Sequence, residues 1–391
     1  MKTFHSIFLS AAVLLLAGCD VKQTDGDAPV ELSISSEVYT DQANSSALFS
    51  SVQCVPLETN QDVLIGDVVK IVRKDGFIYV ADRLALYRFD EEGRASGKIQ
   101  RNGQGPEEYK NISDFEVGGD QTVWILSRTD RTLYNYRWDG TLAKILKLDY
   151  WAAKIYFVGP EKVGVYIGNE LDQDNRHQFK TLDLATGSLT GNYLEIDSAK
   201  AKFLHIHSAN HFSRAFGNEN GVYFFTMFED VIHQWANDKL RPAFCVNINQ
   251  RNIPPSFYRN DYADVSVFFQ ALFRENYAYG TGLFLDYGKD FLYAYFYGGE
   301  CHFALISGES REATLDFKTI REDVALSGYP INLTKQSYFI QDNNELILPL
   351  IPADIIDYAA KAFDEADRLR VQQRIRYADE DQNPVLLILS R

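Results

Sequence analysis

The chain has 391 residues, with 39 basic against 54 acidic side chains and a formal charge of −15. That balance excludes a nucleic-acid binder and direct adhesion to anionic lipid headgroups. Besides Cys19, the cysteines at 54, 245 and 301 are far apart and form no Cys-x-x-Cys pair. They indicate neither a disulfide framework nor a zinc ribbon; at most one bridge can form, and three buried free thiols are the expected reading.

The N-terminus opens with Lys2 and the apolar run Ile7 to Leu16, "IFLSAAVLLL", too short to cross a bilayer as a helix. Leu16-Ala17-Gly18-Cys19 then places small residues directly before a cysteine. This order resembles a bacterial lipoprotein signal, and the resemblance implies cleavage before Cys19 and diacylglycerol on its sulfur, so that residues 1–18 are a signal peptide. Removing them takes away only Lys2, leaving 38 basic against 54 acidic residues, a net of −16. Residues 19–48 are polar, with few large apolar side chains, and read as a lipidated flexible tether. The folded part is expected over 49–391.

Beyond the tether the chain repeats itself. Phe77 to Ile99, "FIYVADRLALYRFDEEGRASGKI", matches Thr122 to Ile145, "TVWILSRTDRTLYNYRWDGTLAKI", piece by piece. Each reads as strand, short polar turn, strand, acidic-glycine turn, strand, with alternating apolar residues and hairpin chemistry at Asp90-Glu91-Glu92-Gly93 and Asp139-Gly140. Weaker copies start at Ile155, Gly221 and Phe291, and the last spans Ser337 to Leu389. Six antiparallel units predict an all-β six-bladed β-propeller, in which each blade covers its neighbour's face. The orphan strand Ser51 to Glu58 is expected to pair into the final blade and close the ring. Two short helical insertions interrupt the pattern. Asp264 to Arg274 carries an N-cap and a stripe of Val265, Phe268, Phe269, Leu272 and Phe273; Ala353 to Arg376 carries Ile355, Ala359, Ala362, Phe363, Ala366 and Leu369. Both read as decoration packed over a blade.

Between the first two units lies "RNGQGPEEY", Arg101 to Tyr109. A dinucleotide loop needs Gly-x-Gly-x-x-Gly opening a helix, but Glu108 holds the sixth position, where its charge would repel a pyrophosphate. No Gly-Lys-Ser/Thr follows either, so no nucleotide is expected. Gly103 and Gly105 are expected to supply positive φ, and Pro106 to start a short helical turn. The pattern Gly103-x-Gly105-Pro106-x-Glu108-Tyr109 resembles the G-x-G-P-G-E-Y loop of six-bladed β-propeller lipoproteins of gut-dwelling Gram-negative bacteria, a family related to NHL-type propellers. The likeness includes the lipoprotein signal, "IYVAD" (Ile78 to Asp82), the "FDEEG" turn and the terminal "NPVLLIL" strand; Glu107 stands where the family usually has glycine. It implies architecture and no reaction.

Two sets of residues suggest metal chemistry. His205 and His207 share a strand face, with His211 four residues on, a pattern that could hold zinc. The resemblance to six-bladed propeller enzymes such as lactonases implies instead calcium at the channel mouth, for which Asp82, Asp114, Asp230, Asp290 and Asp342 are the acidic loop residues. The blander reading leaves the histidines on a polar loop and the acids capping hairpins, with no cofactor. No Gly-x-Ser-x-Gly elbow or Cys/His pair supports a nucleophile. The aromatic segment Phe257 to Tyr279 and Trp124, Trp138, Trp151 and Trp235 offer stacking surfaces if exposed. The expected function is a cell-envelope binding or scaffold module, lipid-anchored at the outer membrane, with a glycan, peptide or envelope protein as partner. Its rival is a metal-dependent propeller hydrolase or lyase with its site in the channel mouth.

Overall fold

The structure is a computed structural model that describes residues 28–391 apart from 120–121, 172–174, 205–211, 216, 218–220, 342–343, 363–364 and 376–381. The signal, Cys19, the triad His205, His207 and His211, and Asp342 lie outside the described residues.

Strands buried on both faces lose the alternation that marks a half-buried sheet, because no face is left for water. Val123–Ser127 and Thr132–Tyr136 are such strands, buried at every position. Their sheet is one of six antiparallel sheets arranged as a six-bladed propeller. From innermost to outermost strand, blade 1 runs Lys70–Lys74 to Ala95–Ile99 and blade 2 Asp114–Val117 to Leu142–Lys147. Blade 3 runs Lys154–Gly159 to Leu189–Glu195, and blade 4 begins at Phe212–Arg214 and reaches Lys239–Ile248. Blade 5 runs Tyr279–Asp286 to Ala313–Glu322.

Blade 6 joins the two ends of the chain. Phe339–Ile340, Leu346–Leu350 and the C-terminal Val385–Ser390 take the inner places, and Ser51–Pro56 pairs antiparallel to Val385–Ser390 as the outermost strand. The expected closure by the N-terminal strand is therefore present. Apolar clusters fill the spaces between successive blades. Ile71, Ile78 and Val80 of blade 1 meet Ile347, Leu386 and Ile388 of blade 6 across the closure.

Residues 30–48, expected as tether, are instead built into the ring. Val30–Ile34 adds a parallel strand to the outer edge of blade 4, and Tyr39–Asn44 one to blade 5. Leu32 and Ile34 bury between those two blades. Ser46 fastens the following turn, its backbone N–H and hydroxyl donating to Asp323 at 2.9 and 2.7 Å. The sequence hid this because an edge strand is held mainly by backbone hydrogen bonds and needs few apolar side chains.

The acidic-glycine turns behave as expected. Gly93 takes φ 82°, and Asp90 accepts from the N–H groups of Glu92 and Arg94. Gly93 also lets the outermost strand of blade 6 approach: an added Cβ would stand 2.2 Å from the Pro56 carbonyl oxygen.

The insertion helix Val265–Arg274 is capped by Asp264, whose carboxylate accepts from the Val267 N–H at 3.0 Å. Phe268 and Leu272 bury, while Val265 and Phe273 of the expected stripe face solvent. Phe257, Tyr258, Tyr262 and Tyr279 pack round Phe268, so most of the aromatic segment is core. The second insertion forms Pro352–Ala362 and Glu365–Arg374. Ile355 and Ala359 would continue one stripe into Ala366 and Leu369, yet those two are exposed and Val371 buries instead. The apolar face changes phase between the two helices. Among the described residues no helix is long and apolar enough to cross a membrane.

Candidate functional site at the channel mouth

In a propeller the innermost strands line the axial channel, and the loops that enter them form one of its mouths. Here three of those strands open on a charge, one per blade: Lys70, Asp114 and Lys154. In blades 5 and 6 the first residues are Tyr279 and Phe339, which turn into apolar clusters.

The charges of blades 1 to 3 meet. Lys70 Nζ lies 2.5 Å from Glu116 Oε1 and 3.3 Å from Asp114 Oδ1. The other Asp114 oxygen accepts from the Ile155 N–H of blade 3 at 2.7 Å. Asp114 is wholly buried. Burial opposes the charge on Lys70, but Asp114 and Glu116 outweigh it and raise the ammonium pKa. Lys154 is treated differently. Burial lowers its pKa and Lys70 adds to the effect, with Asp114 opposing. One lysine is thus saturated with carboxylate and the other is short of it.

Above this cluster a cavity of about 560 Å³ opens at the mouth. Its walls are residues 67–69, 111–113, 154 and 336–339, which lead into the innermost strands of blades 1, 2, 3 and 6, with Arg83, Arg128 and Thr129 from the second hairpins of blades 1 and 2. A concave site of this size, walled by several blades, suits a small ligand or a short segment of a larger one. Arg128 is held in place: it pairs with Glu170, donates to the Trp151 carbonyl at 2.9 Å, and lies over the Trp151 ring.

The glycine stretch lies on the same face, between blades 1 and 2, but outside this cavity. Its groups are spent on one another. Glu108 accepts from the Gly105 N–H at 2.8 Å, the Gly103 N–H donates to the Tyr109 carbonyl at 3.0 Å, and the Tyr109 N–H donates to the Arg101 carbonyl at 3.1 Å. The Tyr109 ring is fully buried, with its hydroxyl donating to the Leu84 carbonyl at 2.9 Å. Neither Gly103 nor Gly105 takes the expected positive φ. At 103 the Glu108 carboxylate fills the space a side chain would take, 1.9 Å from where a Cβ would stand, so any larger residue displaces it. Pro106 and Glu107 form a turn rather than a helix. The Glu107 side chain is exposed while its carbonyl accepts from Tyr136 at 2.6 Å, so a residue other than glycine fits there. The loop turns the chain and seats Tyr109.

The acidic residues considered for calcium are not brought together. Asp82 accepts from the N–H groups of Gly66, Leu84 and Ala85 at 2.7 to 3.0 Å, capping its hairpin. Asp114 belongs to the lysine cluster. Asp230 sits on the mouth side of blade 4, whereas Asp290 opens the second strand of blade 5 at the opposite face and pairs with Arg391. Among the described residues no three His, Cys, Asp or Glu side chains gather into a metal-binding group. Trp124 and Trp235 are buried; Trp151 alone of the tryptophans is exposed.

Sequence reasoning missed Lys70, Glu116, Lys154 and Arg83. In blades 1, 2, 4 and 5 the repeats began at the second strand, so those innermost strands fell in the gaps, and in blade 3 the repeat began at Ile155, one residue past Lys154. Aligning "DVVKIV", "NISDFEV" and "WAAKIYFV" would have shown a charge opening an apolar strand once per blade.

A family model described as a domain of unknown function, DUF4934, matches residues 30–390. No curated protein is similar to the chain in sequence. Among solved structures, a putative exported protein of Bacteroides fragilis is 14% identical, covering 93% of this chain and 100% of its own, with a TM-score of 0.69. A member of the DUF4221 family from Bacteroides vulgatus is 10% identical, covering 87% of this chain and 96% of its own, with a TM-score of 0.51. At these identities the likeness shows the fold alone.

Proposed function

The chain belongs to the DUF4934 family, and from that premise we propose a cell-envelope lipoprotein whose propeller binds a ligand at the channel mouth. The observation that carries this reading is the cavity of about 560 Å³ walled by four blades. The likeness to a protein described as exported agrees with an envelope address. So does the lipoprotein-type N-terminus, with Cys19 as the lipidated residue and the outer membrane as the destination. Val30–Ile34 enters on the outer edge of blade 4. A lipid on Cys19 would therefore hold the disc by its rim and leave the mouth clear for a glycan, a peptide or an envelope protein.

Ser337 is exposed on the cavity wall, so Ser337→Trp plugs the mouth without touching the core. Thermal-shift screening of wild type and S337W against envelope glycans and peptides tests the reading. A ligand at a hundred times its Kd stabilises the native state by about 2.7 kcal/mol, and S337W abolishes that gain. Ligands that stabilise both proteins equally would move the site elsewhere. Metal analysis after dialysis checks the rival enzyme reading, which stoichiometric calcium or zinc would favour. Cys19→Ala is expected to release the protein from membranes.

A further inference from the structure

The mouth inverts the charge of the molecule around it. The chain is acidic overall, yet three of the four charged residues on the cavity wall are cations, Arg83, Arg128 and Lys154, against Asp67. Arg128 is neutralised by Glu170. Among the described residues neither Arg83 nor Lys154 has a carboxylate within ion-pair distance. They flank one segment from two sides. The Arg83 carbonyl accepts from the Ile112 N–H at 2.8 Å, and Ile155, next to Lys154, donates to Asp114 at 2.7 Å. Two cations left without partners at a concave site in an acidic protein favour an incoming anion, whose approach elsewhere is repelled.

The wall also limits the kind of anion. Asn111, Ser113, Thr129 and Ser337 put amide and hydroxyl groups beside the cations. Tyr338 adds a ring on the wall, and Trp151 stands exposed on the rim under Arg128 and Arg131. Asp67 and the buried carboxylates beneath disfavour a polyanion. One negative charge on a scaffold of hydroxyls, with a face to lay on an aromatic ring, meets all of these conditions.

We propose that the channel mouth binds a carboxylate-bearing sugar, a uronic acid or short acidic saccharide, with Arg83 and Lys154 supplying the positive charge. This rests on the mouth being the binding site, and the test separates the two. Isothermal titration of the mature chain uses glucuronate, galacturonate and digalacturonate, their neutral parents and sodium phosphate. Acidic sugars should bind at least tenfold more tightly than the neutral parents or phosphate, and several-fold more weakly as salt rises from 50 to 500 mM. Arg83→Gln and Lys154→Gln should each weaken acidic-sugar binding at least fivefold. Arg83 is exposed, so R83Q remains informative even if K154Q folds poorly. Equal binding of the neutral parents, equal binding of phosphate, unchanged affinity in R83Q, or no binding of acidic sugars would each overturn the inference. A neutral ligand blocked by S337W would do so while leaving the mouth as the site.

Discussion

Replacing Gly103 with alanine tests what the Gly-x-Gly-Pro loop is for. A Cβ there would stand 1.9 Å from Glu108 Oε2 and 2.6 Å from Cδ, so the carboxylate must leave. Leaving breaks its 2.8 Å bond from the Gly105 N–H, a charge-assisted bond whose loss costs about 1.5–3 kcal/mol. Residue 103 does not have positive φ, so backbone strain adds nothing. Once Glu108→Ala has emptied the space, the same alanine should be neutral or stabilising by about 0.4–1 kcal/mol, through a stiffer unfolded chain. A double-mutant cycle on urea unfolding, G103A, E108A and both, therefore predicts coupling of about 1.5–3 kcal/mol. If G103A costs as much in the E108A background as in wild type, the carboxylate does not explain the glycine and the loop must serve something outside itself.

The lysine cluster gives a contrast. Lys70→Met strands Asp114 and Glu116 in the interior and should cost about 3–5 kcal/mol, whereas Lys154→Gln, which has no ion pair to lose, should cost under about 1 kcal/mol; equal urea midpoints would refute the distinction. Burial pushes the Asp230 carboxyl up to about 7 from an ordinary 3.8, Glu229 adding and Asn252 and Lys200 opposing. A raised folded-state value means stability present below pH 3.8 and lost as pH rises through about 7. Asp230→Asn should flatten the urea-unfolding free energy against pH across that window, by at most about 4 kcal/mol. Of the three cysteines expected as thiols, Cys245 is instead disulfide-bonded; Cys54 and Cys301 are free, and burial pushes their thiols up to about 12. At pH 8 a disulfide reagent should modify them far more slowly in the native protein than in urea, and rapid labelling without denaturant would contradict their placement.

The ring was legible in the sequence because its outer three strands per blade carry a repeated pattern with turns such as Asp90 to Gly93. The residues that build the mouth were less so. Phe339–Ile340 and Phe212–Arg214 are too short to show a period, and Lys70 and Lys154 look like surface charges until the ring points them at one another. Leu32 and Ile34 show the same limit. Two apolar residues in a polar stretch are a weak signal, and what holds them is the backbone of Lys239–Ile248, distant in the chain. The Gly103 loop failed for another reason. Sequence names glycine, but only contact with Glu108 shows that missing volume, rather than torsional freedom, is what the position requires.

Blade 6 takes strands from both ends of the polypeptide, and Ser51–Pro56 finds its partner only in Val385–Ser390. The ring therefore closes only when these two distant strands meet. A copy cut short by its final strand leaves two open sheet edges facing each other across a gap, one near each end of the chain. Such edges invite pairing with other chains and the attention of proteases. Copies in which both strands have paired show neither, so the clasp sets closed rings apart from open ones without any added device.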